Sequence, residues 1–188
     1  MAKEDFEQVM GMHAAPMLWG VKAANMVSFR KSSFDDFDAM LASYEPCFRC
    51  KGISVFRVSE GEEYVLLLFY RQEAMWRTLH QPKAMELLER FGYRREDTLD
   101  ELLERLKIRM QVRKTFPHEV GLFLGYPPDD VAGFIENKGQ NYAFSGYWKV
   151  YANEDRTRAL FDLYTDCSQN FCLELEKGRR FEELVRAV

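Results

Sequence analysis

Three observations predict an α+β fold for this chain of 188 residues: a small, mostly antiparallel sheet of about four strands covered by seven or eight helices. Two strand-like runs stand back to back around Glu60-Gly61-Glu62. Several segments carry apolar residues at the i, i+3, i+4 spacing of a helix with one buried face. Both kinds of segment fall within one chain of ordinary globular composition, so the strands need helices to cover them.

Taken in order, Lys3 to Met12 predicts a short helix that buries Phe6, Val9 and Met10. Met17 to about Phe29 reads as a second helix, apolar nearly all round and therefore buried. Ser33 is placed to cap a third, Phe34 to Tyr44, which turns Phe37, Met40 and Leu41 inward and stops at Pro46. Ile53–Ser59 and Glu63–Tyr70 read as a hairpin, and the unbroken run Tyr64-Val-Leu-Leu-Leu-Phe-Tyr70 suits a central strand covered on both faces. Helices follow at Gln72–His80 and at Pro82–Phe91, the second opened by proline and closed by Gly92. Thr98 and Glu101 form a capping box for a longer helix to about Lys114, with Leu99, Leu102, Leu103, Leu106 and Met110 on one stripe.

Glu119–Leu124 reads as a short strand, Pro127 to about Glu136 as a helix, and Tyr147–Ala152 as another strand. Asn153 is placed to cap a last long helix whose inner stripe is Leu160, Leu163, Tyr164, Cys167 and Phe171. Gly178 separates it from a terminal helix, Arg179–Val188. With no repeat, linker or low-complexity segment, residues 1–188 are expected to form a single globular domain.

The bulk numbers exclude several classes. With 26 basic and 30 acidic residues the net charge is −4, and the densest basic run, Arg105 to Lys114, follows five acids as a helix dipole favours. No nucleic-acid partner is expected from that pattern. The apolar stretch from Ala14 to Val27 is interrupted by Lys22 and Asn25, well short of the ~20 apolar residues of a membrane helix. It also follows Lys3, Glu4, Asp5 and Glu7 rather than the basic opening of a secretory signal. No membrane partner and a cytoplasmic location are the expectations. The four cysteines, at 47, 50, 167 and 172, are too few for a disulfide framework.

Three blocks stand out: His13-Ala-Ala-Pro-Met-Leu-Trp-Gly-Val-Lys-Ala-Ala-Asn25; Phe116-Pro-His-Glu-Val-Gly-Leu-Phe-Leu-Gly-Tyr-Pro127 with Asp130-Val-Ala-Gly-Phe134; and Gly146-Tyr-Trp-Lys-Val-Tyr151. Together they resemble an uncharacterised domain-of-unknown-function family of anaerobic, clostridial-type bacteria, over nearly the whole chain. The resemblance implies no activity. It does imply a redox or metal context, with a flavodoxin-like redox partner, and a family pattern in which a cysteine often stands where this chain has Ala14.

Four constellations are candidates for chemistry. Cys47-Phe-Arg-Cys50 lies between a predicted helix and a strand, the wrong end of a helix for a thiolate-stabilising redox pair. A zinc site with Cys167 and Cys172 would require two ligands that point about 140° apart on one helix, so ordinary small apolar cysteines are the simpler reading and no metal is expected. Lys22 and Asn25, with Leu18 and Phe29, fall on one face of the predicted helix from Met17. A lysine buried there needs an anionic partner or a lowered pKa, and is a candidate ligand for phosphate or carboxylate. A snorkelling or structurally paired lysine explains the same letters.

Pro117-His118-Glu119, at the mouth of a predicted strand, offers a His–Glu dyad whose members should face opposite sides of that strand. A helix-start cysteine with His118 would resemble papain-like hydrolases. With Ala14 that nucleophile is missing, which leaves an inactive protein or a role for Cys47 or Cys50. Fourth, Asn137-Lys-Gly-Gln-Asn-Tyr142 with Trp148 and Lys149 could surround a flat ligand such as a nucleotide or flavin, although GxGxxG and P-loop motifs are absent and a plain loop would read the same way. Asp129 and Asp130 are expected as helix-start residues, and Met10, Met12 and Met17 as packing.

The leading reading is a protein that binds a small anionic ligand or cofactor through Lys22, Asn25 and His118, with Glu119 as the acid partner of Lys22 and the cofactor itself unassigned. The alternatives are a hydrolase- or transferase-like enzyme using His118 and Glu119, and an interaction module for a redox partner.

Overall fold

A computed structural model describes residues 2–112 and 116–188, without the side chains of residues 2–5. Its helices and two antiparallel sheets make it an α+β fold. The chain forms two compact units: residues 1–72 with 164–188, and residues 73–163.

In the first unit, helix α1 (Ala2–Leu18) leads through a turn to strand β1 (Ala24–Arg30), then to α2 (Phe37–Cys50), β2 (Ile53–Glu60) and β3 (Tyr64–Arg71). β3 lies in the middle of the antiparallel sheet, flanked by β1 and β2. The hairpin and its apolar central strand stand where the sequence puts them, and β3 buries residues on both faces, among them Leu67, Leu68 and Phe69. Val27 and Phe29 of β1 share one face with Leu67 and Val65, their register partners. That face belongs to an aromatic core of Phe6, Phe29, Tyr44, Phe48, Phe69, Phe171 and Phe181.

The helix expected from Met17 to Phe29 does not exist. Gly20 has φ +77°, its N–H bonds to the Met17 carbonyl, and Val21 N–H reaches back to Pro16. This is a Schellman closure, which ends α1 and releases the following residues to pair with β3. α2 also departs from expectation. Asp36 caps it, accepting from Ala39 N at 2.9 Å, and it continues through Pro46. Ala42 and Pro46 both lie on its exposed side, where water can take up the carbonyl that proline leaves unbonded.

The second unit holds α3 (Gln72–Leu79, whose first residue belongs to the first unit), α4 (Pro82–Glu89), α5 (Leu99–Val112), α6 (Val120–Phe123), α7 (Pro128–Glu136), β4 (Phe144–Ser145) and β5 (Lys149–Val150). α8 (Glu154–Glu176) contributes its residues up to Leu163 here and those from Tyr164 onward to the first unit. The capping box forms as expected: Glu101 accepts from Thr98 N, and Glu101 N–H bonds to Thr98 Oγ1. The end predicted for this helix, at Lys114, lies outside the described residues.

Three expectations fail in the second half. Residues 119–124 form no strand: Gly121, Leu122 and Phe123 are buried in succession in the short α6, and an apolar run of five, Val120 to Leu124, cannot be assigned from periodicity alone. The strand expected over 147–152 is only two residues long. The backbone N–H groups of Tyr151 and Ala152 bond to the Asp130 carboxylate instead of extending a ladder. Leu163, assigned to the inner stripe of α8, is exposed, while Tyr164, Cys167 and Phe171 are buried. α9 is shorter than expected, Phe181–Leu184.

Candidate functional site

The second unit carries a cleft of about 340 Å³ between α6, α7 and the β4–β5 hairpin. Five aromatic residues contribute to its walls: Phe116, Tyr126, Phe134, Tyr147 and Trp148. Gly125, at φ +76°, ends α6 with a reverse turn in which Tyr126 N–H returns to the Gly121 carbonyl, and this brings Tyr126 back over its own helix.

Trp148 is the most firmly held wall. Its indole Nε1–H donates to Asp130 Oδ2 at 2.8 Å. Its ring stacks on Tyr126, with centroids 4.5 Å apart, and meets Phe161 edge-on at 90°. Asp130 begins as the helix-start residue expected and does more. Buried in the first turn of α7, it accepts Trp148 Nε1–H on one oxygen and the N–H groups of Tyr151 and Ala152 on the other. One carboxylate thereby ties α7 to the hairpin and fixes the indole. The sequence gives a signal for this, an acid in a helix's first turn, but does not reveal its distant partners.

His118 also lines the cleft. Its ring is exposed and packs against Phe134 at 5.1 Å, and it makes no hydrogen bond among the described residues. Lys149 is the second basic group of the lining. Its Nζ donates to the Gly139 carbonyl at 2.7 Å and lies over the Tyr142 ring. Thus the loop from Asn137 to Tyr142 is connected to Lys149, and through it to the cleft.

Glu119 follows His118 directly but points away from solvent. It is 0% exposed, forms an ion pair with Arg109 of α5 and accepts from the Tyr93 hydroxyl at 3.4 Å. Burial, reinforced by the Glu119 charge, raises the Tyr93 hydroxyl well above its usual range, and the hydrogen bond to Glu119 raises the Arg109 guanidinium further. The expectation that His118 and Glu119 face different ways holds, although the backbone there is a turn entering a helix rather than a strand. Glu119 anchors the segment that presents His118, and the two do not act as a dyad in this arrangement.

Lys22 and Asn25 belong to the first unit, and the helical face meant to unite them is absent. Lys22 lies in the turn after α1, only 8% exposed, with its amine 5.6 Å from the Tyr164 ring centroid. Burial lowers its pKa from 10.5 to about 8. Asn25 is the second residue of β1, opposite Phe69, and its Oδ1 is buried with no hydrogen-bond partner among the described residues. The partner nominated for Lys22, Glu119, is instead engaged by Arg109 and Tyr93.

Cys47 and Cys50 fall in the last turn of α2, where the Cys50 thiol donates to the Cys47 carbonyl. α8 is unbroken between Cys167 and Cys172. Burial raises the thiols of Cys47, Cys167 and Cys172, which works against thiolate chemistry. Among the described residues, no three His, Cys, Asp or Glu side chains are grouped to hold a metal ion, and no helix is long and apolar enough to cross a membrane.

Fold and cleft together define an α+β protein with a small, aromatic-walled concavity in its second unit. The chain belongs to the family described as "Protein of unknown function (DUF3793)", whose model matches residues 10–185 and so spans both units and all three distinctive blocks. No curated protein and no solved structure is significantly similar to it.

Proposed function

We propose that the protein binds a small anionic ligand in the cleft of its second unit, with His118 as the principal polar contact. The observation that carries this reading is an apolar concavity in which one exposed imidazole has no hydrogen-bond partner among the described residues. Small-molecule sites combine largely apolar walls with a few convergent polar groups in this way. Lys22 and Asn25, in the other unit, are not part of the site proposed.

Binding is favoured over the hydrolase or transferase alternative because Glu119, the acid that would orient His118, is already committed to Arg109 and Tyr93. A thermal-shift screen of carboxylates and phosphates against the full chain and its His118→Ala variant tests the reading. At least one anion should raise the melting temperature of the parent by several degrees and that of the variant by much less. An absence of any anion-dependent shift, or a shift that His118→Ala leaves intact, would overturn it.

A further inference from the structure

We propose that the ligand of this cleft is a planar aromatic carboxylate of one or two rings, an assignment that rests on the anion-binding reading above. Size sets the first limit. A dry cavity of roughly 150 Å³ accepts one benzene ring, so about 340 Å³ accommodates two fused rings with a small substituent but no dinucleotide. The shape of the preference follows from the walls. Trp148 is held by Asp130, Tyr126 and Phe161 at once. Trp148 is itself only 8% exposed, so a flat ligand meets the exposed rings of Phe116 and Tyr147 beside this fixed indole, and aromatic rings pair best with other rings at offset or edge-on geometry.

The charge preference comes from what remains free. Asp130 is the one acid in the lining among the described residues, and its two oxygens already accept three N–H groups. The groups with spare donors are His118, which has no hydrogen-bond partner among the described residues, and Lys149, which spends one of its three N–H groups on Gly139. A cleft with a saturated acid, an exposed imidazole and an ammonium with N–H groups to spare selects an anion.

Carboxylate is favoured over phosphate because neither helix start at the cleft can cradle phosphate: the first N–H groups of α6, those of Val120 and Gly121, already bond to the carbonyls of Pro117 and His118. α7 opens with Pro127 and Pro128, which have no N–H to donate, and Asp129 and Asp130 occupy its first turn. Phosphate sites at helix starts depend on those N–H groups.

Titration calorimetry on the full chain with four probes tests the assignment: 2-naphthoate, cyclohexanecarboxylate, 2-naphthamide and 2-naphthyl phosphate. Naphthoate should bind at least tenfold tighter than each of the others. His118→Gln should weaken naphthoate at least fivefold without changing the melting temperature, and Phe116→Leu should weaken naphthoate but not cyclohexanecarboxylate. Equal binding of the saturated acid, or tighter binding of the phosphate, overturns the ligand class while leaving anion binding through His118 in place. Equal binding of the neutral amide overturns both the class and the anion reading. Failure of naphthoate while another anion binds through His118 overturns the class alone.

Discussion

The two units handle aromatic residues in opposite ways. In the first, Phe6, Phe29, Tyr44, Phe48, Phe69 and Phe181 pack on one another at centroid distances such as 4.5 Å for Phe6–Tyr44 and 5.6 Å for Phe48–Phe69. They form a closed interior. In the second, Phe116 and Tyr147 are exposed around a cleft, and Trp148 is fixed by a carboxylate rather than by packing alone. The same residue type that stabilises one unit shapes a surface in the other. Mutations in the two units should therefore separate stability from binding.

The largest effect is expected from Phe69→Ala. The ring is fully buried between Phe29 and Phe48 on the central strand, and truncating a buried Phe typically costs about 3–5 kcal/mol through lost transfer energy and the cavity left behind. Urea denaturation checks this. A loss under about 1 kcal/mol would show that the aromatic interior is not closely packed.

Arg71→Met should come next, at roughly 3 kcal/mol, because four carbonyls would lose a charged donor at once, although those of Met17 and Leu18 keep the N–H groups of Gly20 and Arg186. The Arg71 guanidinium donates to the carbonyls of Met17, Leu18, Lys51 and Arg186. Two of these are the last carbonyls of α1, which have no intrahelical partner and attract positive charge. Arg71→Lys should recover only part of the loss, since one ammonium cannot reproduce the planar fork.

How far all this was legible in the sequence depends on how local the determining contact is. The β2–β3 hairpin, the α5 capping box and the start of α7 are set by neighbours a few residues apart, and the letters show them. The end of α1 was also written locally, in Gly20, but the apolar run beyond it matched a buried helix equally well. Pairing of β1 with β3, more than 30 residues away, decided the matter. The site followed the same rule. His118 and Trp148 drew attention as residue types, but the Asp130 and Arg109–Glu119 links that position them span 10 to 22 residues and leave no periodic trace.

Lys22 gives a pH-dependent test within the first unit. Its folded pKa, about 8, lies below the 10.5 of the exposed side chain because burial disfavours the charged form. Between those values the unfolded chain binds more protons, so this group's contribution to stability rises with pH across that window. The charged form is penalised in the fold at pH 7, and the penalty is gone by about pH 10.5. At about 1.4 kcal/mol per pKa unit the change is roughly 3–3.5 kcal/mol. Lys22→Met should therefore be more stable relative to the parent at pH 7 than at pH 10. A difference that does not change with pH would mean that Lys22 titrates alike in both states.

The smallest stability effect is expected at His118, and its neighbour supplies the contrast. Glu119→Gln removes the charge that holds Arg109 and weakens the acceptor for Tyr93 in a fully buried position, and should cost about 1–3 kcal/mol. His118→Gln alters an exposed ring with no hydrogen bond among the described residues, and should change stability by no more than about 0.5 kcal/mol. Binding should reverse the ranking: His118→Gln loses most of the anion-dependent thermal shift, whereas Glu119→Gln weakens it only as far as the 116–119 segment loosens. Measuring denaturation and thermal shift on the same two variants makes the comparison decisive. If Glu119→Gln abolishes binding while leaving stability untouched, the carboxylate acts on the ligand itself and the anchor role assigned to it is wrong. If His118→Gln destabilises the chain as much as Glu119→Gln does, the imidazole belongs to the framework, and the cleft loses the polar group on which anion binding rests.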